Sequence, residues 1–542
     1  MKTRKMSAVE VVLVCFLIIT LFMTIIVDRH ISLHVLDDDA SSELMLSNLM
    51  NHDKSLFPDD WYYSTELILH NQIIWSFLFN FFEGWSNVRF LGTVIIQFFY
   101  LASFAYMLYE SGLSRKAVLT GMILCMIPYC VSYGRSILYH CFYVPRFAPG
   151  FIIIGLLFSF LKKNTAGVFS KGIRLFLIII LAFINSMLYV RQVFITMLPV
   201  LGCLFFYLLF KYREGVTFYR KWMIVPLIMC VAGFAGLVCN SRILIPSLSL
   251  YKQTEQNLGI LSPADWGPIL GALLFQFGFR TDVNIFSLTG LLSLGGLFNA
   301  AVLSYLSIRN LVRRDISDFR EYLLRTMLPV SLLLNLVIFV FGEIPFRLQS
   351  DYSRYLLAAS VWIIPALCCE IDMKEKFPHI RKIIFSVCLL FFVLNSLFNI
   401  NSFLHSDDFG QPYDGLSYDN PHLADDLRSA VEFIRTHDYR YGYAFAGEAN
   451  VLVELMNGLP VVSLRRTPDG VLEYANWLSQ KSFKTISADG AFFLMRASEE
   501  DHYQTALIQS SVERIYFDDF GYVLYDIPDI SLFRELIREP VL

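Results

Sequence analysis

Long apolar runs separated by short polar segments fill residues 1–401. Runs of 16 to 24 apolar residues recur up to about residue 401, and none follows. Because a helix needs about 20 apolar residues to cross the hydrocarbon core of a bilayer, the pattern predicts about eleven membrane-spanning helices. The predicted spans are 9–27, 88–109, 117–133, 147–161, 174–189, 192–210, 223–239, 285–308, 327–342, 354–369 and 384–401.

The distribution of Lys and Arg between alternate loops sets the predicted orientation. With the N-terminus inside the cell, the inner segments hold 22 Lys and Arg in 72 residues, a density about four times that of the outer loops. Cytoplasmic loops are enriched in basic residues, so the N-terminus is predicted to be inside. An odd number of spans then places residues 402–542 outside the cytoplasm. The chain is therefore predicted to be a multi-pass protein of the cell membrane.

Residues 1–401 are predicted to form the membrane domain, and residues 402–542 a separate soluble domain. The first outer loop, residues 28–87, is long. Within it, Glu66–Phe82 is apolar on most faces but broken by polar residues, which is typical of an amphipathic helix lying at the membrane interface. A second long outer loop runs from 240 to about 282.

The C-terminal segment alternates helix-like and strand-like patterns. Residues 423–436 have helical spacing and open with acidic residues, as a helix N-terminus should. Residues 449–457 also read as a helix. Four short apolar segments predict strands, and the alternation predicts a small α/β domain. These strands are 442–445, 461–464, 492–495 and 522–525.

Composition agrees with a membrane protein and excludes some functions. The 542 residues are 56% hydrophobic and 17% charged, whereas a soluble protein has nearer a quarter of its residues charged. The net charge of -3 gives no indication of nucleic-acid binding. All ten Cys lie in residues 1–401, without metal-site spacing, and we interpret them as small apolar residues of the helices.

The most informative polar segment directly follows the first predicted helix. Asp37, Asp38 and Asp39 are consecutive, and nine acidic but only two basic residues fall between Asp28 and Glu66. Adjacent carboxylates repel one another, so some of them should have raised pKa values unless a cation or hydrogen bonds compensate. Such a cluster at a membrane surface suits a general base or a metal site.

A purely structural interpretation of the acidic run is also open. Asp favours the first turn of a helix, so the run could simply begin one. If residues 39–50 are helical, Asp39 and Glu43 lie on the same face at positions i and i+4. The position of the run, in the first outer loop of a protein with many spans, favours the functional interpretation.

The acidic run and the arrangement of helices resemble the GT-C superfamily of membrane glycosyltransferases. These begin with one helix and a long outer loop that carries an acidic motif. In the aminoarabinose-transferase branch the motif is roughly Asp-Glu-x-x-Tyr-Ala-Glu. Asp37, Asp38, Ser42 and Glu43 fall on its first, second, sixth and seventh positions, while Ser41 stands where that branch has Tyr.

A second similarity lies late in the chain. Residues 354–357, Arg-Tyr-Leu-Leu, are similar to the Arg-Tyr-Leu-Leu-Pro entry of a late helix in GT-C enzymes, with Ala358 in place of the Pro. Together these similarities imply a polytopic helical GT-C fold of about eleven spans, with its N-terminus inside. The small α/β domain would lie outside.

The resemblance implies a reaction and its partners. GT-C enzymes take a sugar from a polyprenyl-phosphate carrier in the bilayer and transfer it, with inversion, to an acceptor that is a glycan, a lipid or a protein. A carboxylate must deprotonate the acceptor hydroxyl, and Asp37 is the first candidate. Asp39 and Glu43 would orient it, raise its pKa by proximity, or hold a divalent metal ion if one takes part.

A cation must also stabilise the departing lipid phosphate. We expect Arg191, Arg347 and Arg354 to bind it, with Asp38 as a further contact to the substrate. Arg191 interrupts an almost wholly apolar stretch, and an ionisable residue at such a depth indicates function. Two structural interpretations remain: Arg191 could reach the outer headgroups, and Arg347 and Arg354 could pair with Asp351.

Two other functions fit a membrane protein of this size. A transporter or flippase of lipid-linked saccharides would show repeated halves or broken helices with charges inside its spans. A non-catalytic protein of cell-envelope assembly is the other alternative. The ionisable residues of this chain gather in the outer loops, which favours the glycosyltransferase.

Overall fold

The structure is a computed structural model. It describes residues 6–64, 67, 69–162, 168–211, 220–248, 257–258, 266–280, 283–312, 316, 318–343, 355–372, 379–405, 422–486, 490–518 and 521–540. The predicted phosphate ligands Arg347 and Arg354 lie outside these residues.

Long apolar helices dominate the described part of residues 1–405. Nine of the described helices are long and apolar enough to cross a membrane, and they match nine of the eleven predicted spans. The chain is therefore a multi-pass helical protein. The nine spans are Ala8–His34, Trp85–Ser111, Val144–Leu161, Phe169–Leu188, Val193–Phe210, Ile224–Ser247, Leu288–Val312, Phe319–Phe341 and Lys382–His405.

The two remaining predicted spans, 117–133 and 354–369, fall on shorter helices. The first is Arg115–Cys125, capped by Ser114 and ended before Pro128, after which the chain winds as Val131–Tyr133 and a π-helical turn, Gly134–Tyr139. Proline cannot continue a helix that precedes it, which explains the interruption. The second is Leu357–Asp372, of 16 residues. By length, the described helices thus supply nine spans rather than eleven.

The chain divides into two compact units, and the division does not follow the order of the sequence. One unit comprises Met1–Val27, Ile96–Ile243 and Thr254–Tyr418. The other comprises Asp28–Ile95, Leu244–Gln253 and Asp419–Leu542. The first outer loop therefore belongs to the same unit as the C-terminal domain.

Four helices lie within this loop or adjoin its ends. They are α1 (Ala8–His34), α2 (Asp38–Asp53), α3 (Leu69–Leu78) and α4 (Trp85–Ser111). Helix α2 is polar in sequence but largely buried, because it packs between α3 and the helix Ala449–Leu455 of the C-terminal domain. Helix α3 forms the centre of the predicted amphipathic segment 66–82. It buries Asn71, Gln72 and Trp75.

The C-terminal domain is built on one mixed sheet of six strands. Strands β1 (Asn257–Leu258) and β2 (Gly342–Glu343), of two residues each, are not part of it: they form a separate antiparallel pair in the first unit. The six strands of the C-terminal sheet lie in the order β5-β4-β3-β6-β8-β7. They are β3 (Tyr441–Phe445), β4 (Val461–Arg465), β5 (Glu473–Tyr474), β6 (Ala491–Arg496), β7 (Glu513–Phe517) and β8 (Tyr522–Ile527).

Helices connect these strands and confirm the predicted α/β domain. The predicted helix 423–436 is divided at Leu427. Strand β3 runs parallel to both β4 and β6, and the helix Ala449–Leu455 makes the crossover from β3 to β4. The carboxyl ends of the three parallel strands therefore meet at one edge of the sheet. The remaining helices of the domain are Leu423–Asp426, Arg428–Thr436, Gln504–Gln509 and Ile530–Glu535.

Candidate active site

The acidic run forms the start of helix α2. Asp37 has extended backbone angles and is the N-cap, where its Oδ1 accepts a hydrogen bond of 2.7 Å from the N–H of Ala40. Asp38 and Asp39 occupy the first turn, where the helix dipole favours negative charge. The capping role predicted as the structural alternative is thus present. Asp37 is nevertheless buried, with 3% of its surface exposed. A residue that only caps a helix can remain in contact with solvent.

Asp38 has the most perturbed carboxyl group of the run. Its Oδ1 is inaccessible to solvent, and burial raises its pKa to about 8, assisted by the negative charges of Asp39 and Asp37. The nearby backbone N–H of Gly447 acts in the opposite direction, and Glu448 adds further repulsion. Asp38 therefore retains its proton near neutral pH, as repulsion within the run predicts for at least one member.

A buried ion pair joins α4 to the C-terminal domain beside this helix start. Arg89 donates from Nε and Nη2 to the two carboxylate oxygens of Glu454, at 2.5 Å each. The hydroxyl of Ser41, in the first turn of α2, donates to Glu454 Oε2 at 2.8 Å. The Ser41, Arg89 and Glu454 side chains are all buried. A two-pronged pair of this kind fixes geometry as well as charge.

Arg89 also acts on the acidic residues themselves. Its guanidinium lies within electrostatic range of Asp37 and Glu43, and it faces the Trp75 ring at 6.0 Å. Glu43 is buried one turn after Asp39, on the same helix face, as the spacing predicts. The carboxylates of Asp37 and Glu43 thus share one cation with Glu454.

A second charged cluster lies at the carboxyl edge of the parallel strands, close to Asp38. Glu448 is buried and accepts hydrogen bonds from Arg466 Nη2, at 2.8 and 2.9 Å, and from Arg496 Nε at 2.9 Å. Arg466 Nε also donates to Glu499 at 2.5 Å. The C-terminal domain thereby holds a charged edge beside the acidic helix start, in a region where α/β sheets commonly bind ligands.

Arg191 belongs to the other compact unit. It lies in the tight turn between helices Val168–Leu188 and Val193–Met197, as predicted. Its Nη2 donates to the hydroxyl of Tyr355 at 3.3 Å, and its guanidinium lies over the Tyr355 ring at 4.6 Å. Aromatic stacking leaves a planar guanidinium in a defined orientation.

Comparison with solved structures gives the fold a precedent. ArnT from Cupriavidus metallidurans in the apo state matches with a TM-score of 0.52 at 11% identity, over 97% of this chain and 99% of that one. ArnT bound to undecaprenyl phosphate gives 0.49 at 11% identity over the same shares. The Archaeoglobus fulgidus oligosaccharyltransferase with zinc and sulfate gives 0.48 at 13% identity, over 94% and 73% of the two chains.

The chain has the fold of ArnT. The GT-C resemblance drawn from the acidic run is therefore confirmed at the level of fold. No family model and no curated protein matches the sequence.

A divalent metal ion held by Asp39 and Glu43 was one expectation from the sequence. Among the described residues, no group of three or more His, Cys, Asp or Glu side chains is arranged to hold a metal ion. Asp38 retains a proton near neutral pH and would have to lose it before it could bind a cation. The described acidic run therefore does not provide a three-ligand site for the divalent ion considered from the sequence.

Sequence reasoning missed the partners that surround the acidic run in this ArnT-like fold. Arg89 stands at the second position of the predicted span 88–109, and an ionisable residue in an apolar run was the available signal. Glu454 and Gly447 gave no comparable signal. Their partners lie more than 360 residues earlier in the chain.

Proposed function

We propose that this protein is a membrane glycosyltransferase that moves a sugar from a polyprenyl-phosphate carrier to an acceptor outside the cytoplasm. The observation that carries the proposal is the acidic helix start, Asp37–Asp39, with Asp37 buried and Arg89 beside it, in a chain with the ArnT fold. The donor class comes from the GT-C resemblance of the sequence.

The proposed reaction is a single displacement at the anomeric carbon. The oxygen of the acceptor hydroxyl forms a bond to that carbon while the bond from the carbon to the phosphate oxygen breaks, which inverts the configuration. The hydroxyl proton passes to a carboxylate, and the electron pair of the broken bond leaves with the polyprenyl phosphate. Asp37 is the proposed base, because its bond from Ala40 N–H holds the carboxylate in place.

The other members of the run have supporting roles. Asp38, protonated near neutral pH, is proposed to donate a hydrogen bond to an oxygen of the sugar or acceptor. Asp39, partly exposed, and Glu43, on the same helix face, are proposed to orient the base.

The leaving phosphate needs a cation. Arg191, oriented over Tyr355, is proposed to bind it, because a planar guanidinium matches the geometry of phosphate oxygens. Arg347 and Arg354 are proposed as further ligands on the basis of the sequence alone.

The test is a transfer assay with the purified protein in lipid vesicles. Vesicles containing radiolabelled sugar on polyprenyl phosphate are incubated with membrane acceptors, and both free polyprenyl phosphate and labelled acceptor are measured. The proposal expects the two products to appear together in equal amounts. Movement of the intact donor across the bilayer, with no loss of its sugar, would instead identify a transporter.

A further inference from the structure

Buried polar contacts join the acidic helix start and its neighbour Arg89 to the C-terminal domain. The two carboxylate oxygens of Glu454 accept hydrogen bonds from Nε and Nη2 of Arg89. Glu454 also accepts a hydrogen bond from the hydroxyl of Ser41, four residues after the proposed base. The backbone N–H of Gly447, two residues after β3, lies close to the carboxyl group of Asp38. One strand–helix unit of the C-terminal domain, β3 and the helix Ala449–Leu455, therefore supplies all of these contacts.

The charges around the helix start depend on Glu454. The guanidinium of Arg89 interacts electrostatically with the carboxylates of Glu454, Asp37 and Glu43. Glu454 is the one that accepts hydrogen bonds from both Nε and Nη2. In a buried region the attraction between charges is much stronger than in water. If the charge of Glu454 were lost, the field of Arg89 would act on Asp37 and Glu43 with less compensation.

We propose that Glu454 and Arg89 are a positioning pair, through which the C-terminal domain sets both the orientation of the acidic helix start and the basicity of its carboxylates. The part of this inference that concerns basicity rests on the proposed transferase function. The part that concerns orientation does not. Neither residue is assigned to contact the substrate.

Other charged groups face the same carboxylates and do not reproduce this arrangement. From α2 itself, Asp38 and Asp39 add negative charge next to Asp37, and from the C-terminal domain Glu448 repels Asp38. Glu448 is itself compensated by Arg466 and Arg496. Arg89 is a cation whose electrostatic interactions reach both Asp37 and Glu43.

The direction of the pH-profile shift in two variants distinguishes a positioning pair from a contact that only stabilises the fold. Glu454→Gln keeps the shape and the bond to Ser41 but removes a negative charge. The acidic limb of kcat/KM against pH should then move down by about one unit, because Arg89 favours the ionised carboxylates more strongly. Arg89→Gln removes the positive charge, and the limb should move up by a similar amount. A packing defect would shift both variants in the same direction or neither.

Glu473→Gln is the matched control. Glu473 is also a buried acid of the C-terminal sheet, paired with Arg538 at 3.0 Å and Arg465 at 3.3 Å, and it has no contact with α2 among the bonds described. The control should leave the pH profile within about 0.2 unit of wild type. The double variant Arg89→Gln with Glu454→Gln loses both charges, so its profile should return towards wild type. If the Arg89→Gln protein does not fold, the double variant takes its place in the comparison with Glu454→Gln.

Hydrogen–deuterium exchange tests the orientation without any substrate. Backbone amides of residues 38–44 should exchange at least about tenfold faster in the Glu454→Gln protein than in wild type or the Glu473→Gln control. The reason is that local opening of the helix start becomes easier when the buried ion pair of Glu454 is lost. Unchanged exchange in α2 would overturn the positioning role. Unshifted or parallel pH profiles, in proteins that transfer sugar, would overturn the electrostatic role. A wild-type protein without transfer activity would refute the proposed function alone, and the exchange experiment would still decide the positioning role.

Discussion

The backbone N–H of Gly447, in the C-terminal domain, lies close to the carboxyl group of Asp38, in the first turn of α2, and acts to lower its pKa. Gly447 has a φ of +106°, a conformation that favours glycine. Strand β3 ends two residues before it, so the sheet delivers this N–H to the acidic run. The C-terminal domain is thereby part of the environment of the proposed site.

Asp38→Asn tests the protonation state of this carboxyl. The folded-state pKa of about 8 lies above the ordinary value of 3.8. Stability contributed by the protonated group is therefore complete below about pH 4 and is lost as the pH rises through 8, with a slope of at most about 1.4 kcal/mol per unit. Asn mimics the neutral form, so the variant should gain more thermal stability over wild type at pH 8 than at pH 5. Melting midpoints at the two pH values measure this.

Glu83→Gln, which removes an exposed carboxylate, is the control for that experiment. Its effect on the melting midpoint should be small and the same at both pH values. Parallel pH dependence of wild type and the Asp38→Asn variant would contradict the raised pKa.

Gly447→Ala tests the contact from the other side. A Cβ there would have space, with Arg466 Nη1 at 4.0 Å as its nearest neighbour, so the cost is backbone strain of about 1–2 kcal/mol. The strain should displace the N–H from Asp38 and lower transfer activity several-fold. Gly521→Ala is matched, since Gly521 has a φ of +87° and nothing within 4 Å of an added Cβ. It should lose similar stability but keep its activity, and equal activity losses in the two variants would argue against a specific contact.

The fold was more accessible from sequence than the site. Apolar runs locate spans because hydrophobic length is a local property, whereas the interruption near Pro128 depends on how the chain turns. The edge strand β7 was missed because its exposed positions, such as Glu513 and Arg514, give no apolar run. The capped helix start at Asp37 could be predicted from residues beside one another. Glu454 could not, because its partner Arg89 is 365 residues away and lies in another element.

The orientation of the chain remains a prediction from its basic residues. A reporter that is active only outside the cytoplasm should be active when fused after residue 405 and silent when fused near residue 314, because the inner loops carry the excess of Lys and Arg. Enzyme activity per unit of fusion protein is the measurement. The reverse pattern would place the acidic run inside the cell and contradict an outer acceptor.

Substitution of Arg191 tests the proposed phosphate contact. Arg191→Ala should lower kcat/KM for the lipid-linked sugar by about 10- to 100-fold, because a charged hydrogen bond to phosphate is lost. Arg347→Ala and Arg354→Ala should act in the same direction. Tyr355→Phe keeps the aromatic face beneath Arg191 but removes the hydroxyl that accepts from it, so its effect should be much smaller. Normal turnover in all three arginine variants would place the phosphate elsewhere.

The most direct test of the account compares Asp37→Asn with Asp39→Asn in transfer of labelled sugar by membranes, at matched expression. Asn keeps the size of the side chain and an oxygen to cap α2, so folding should be little changed, but it cannot accept the proton. Loss of a general base typically lowers the rate about 10²- to 10⁴-fold. We expect this loss in the Asp37 variant and a smaller one in the Asp39 variant. A loss confined to the Asp39 variant would move the base by two residues, and full activity in both would contradict the proposed mechanism.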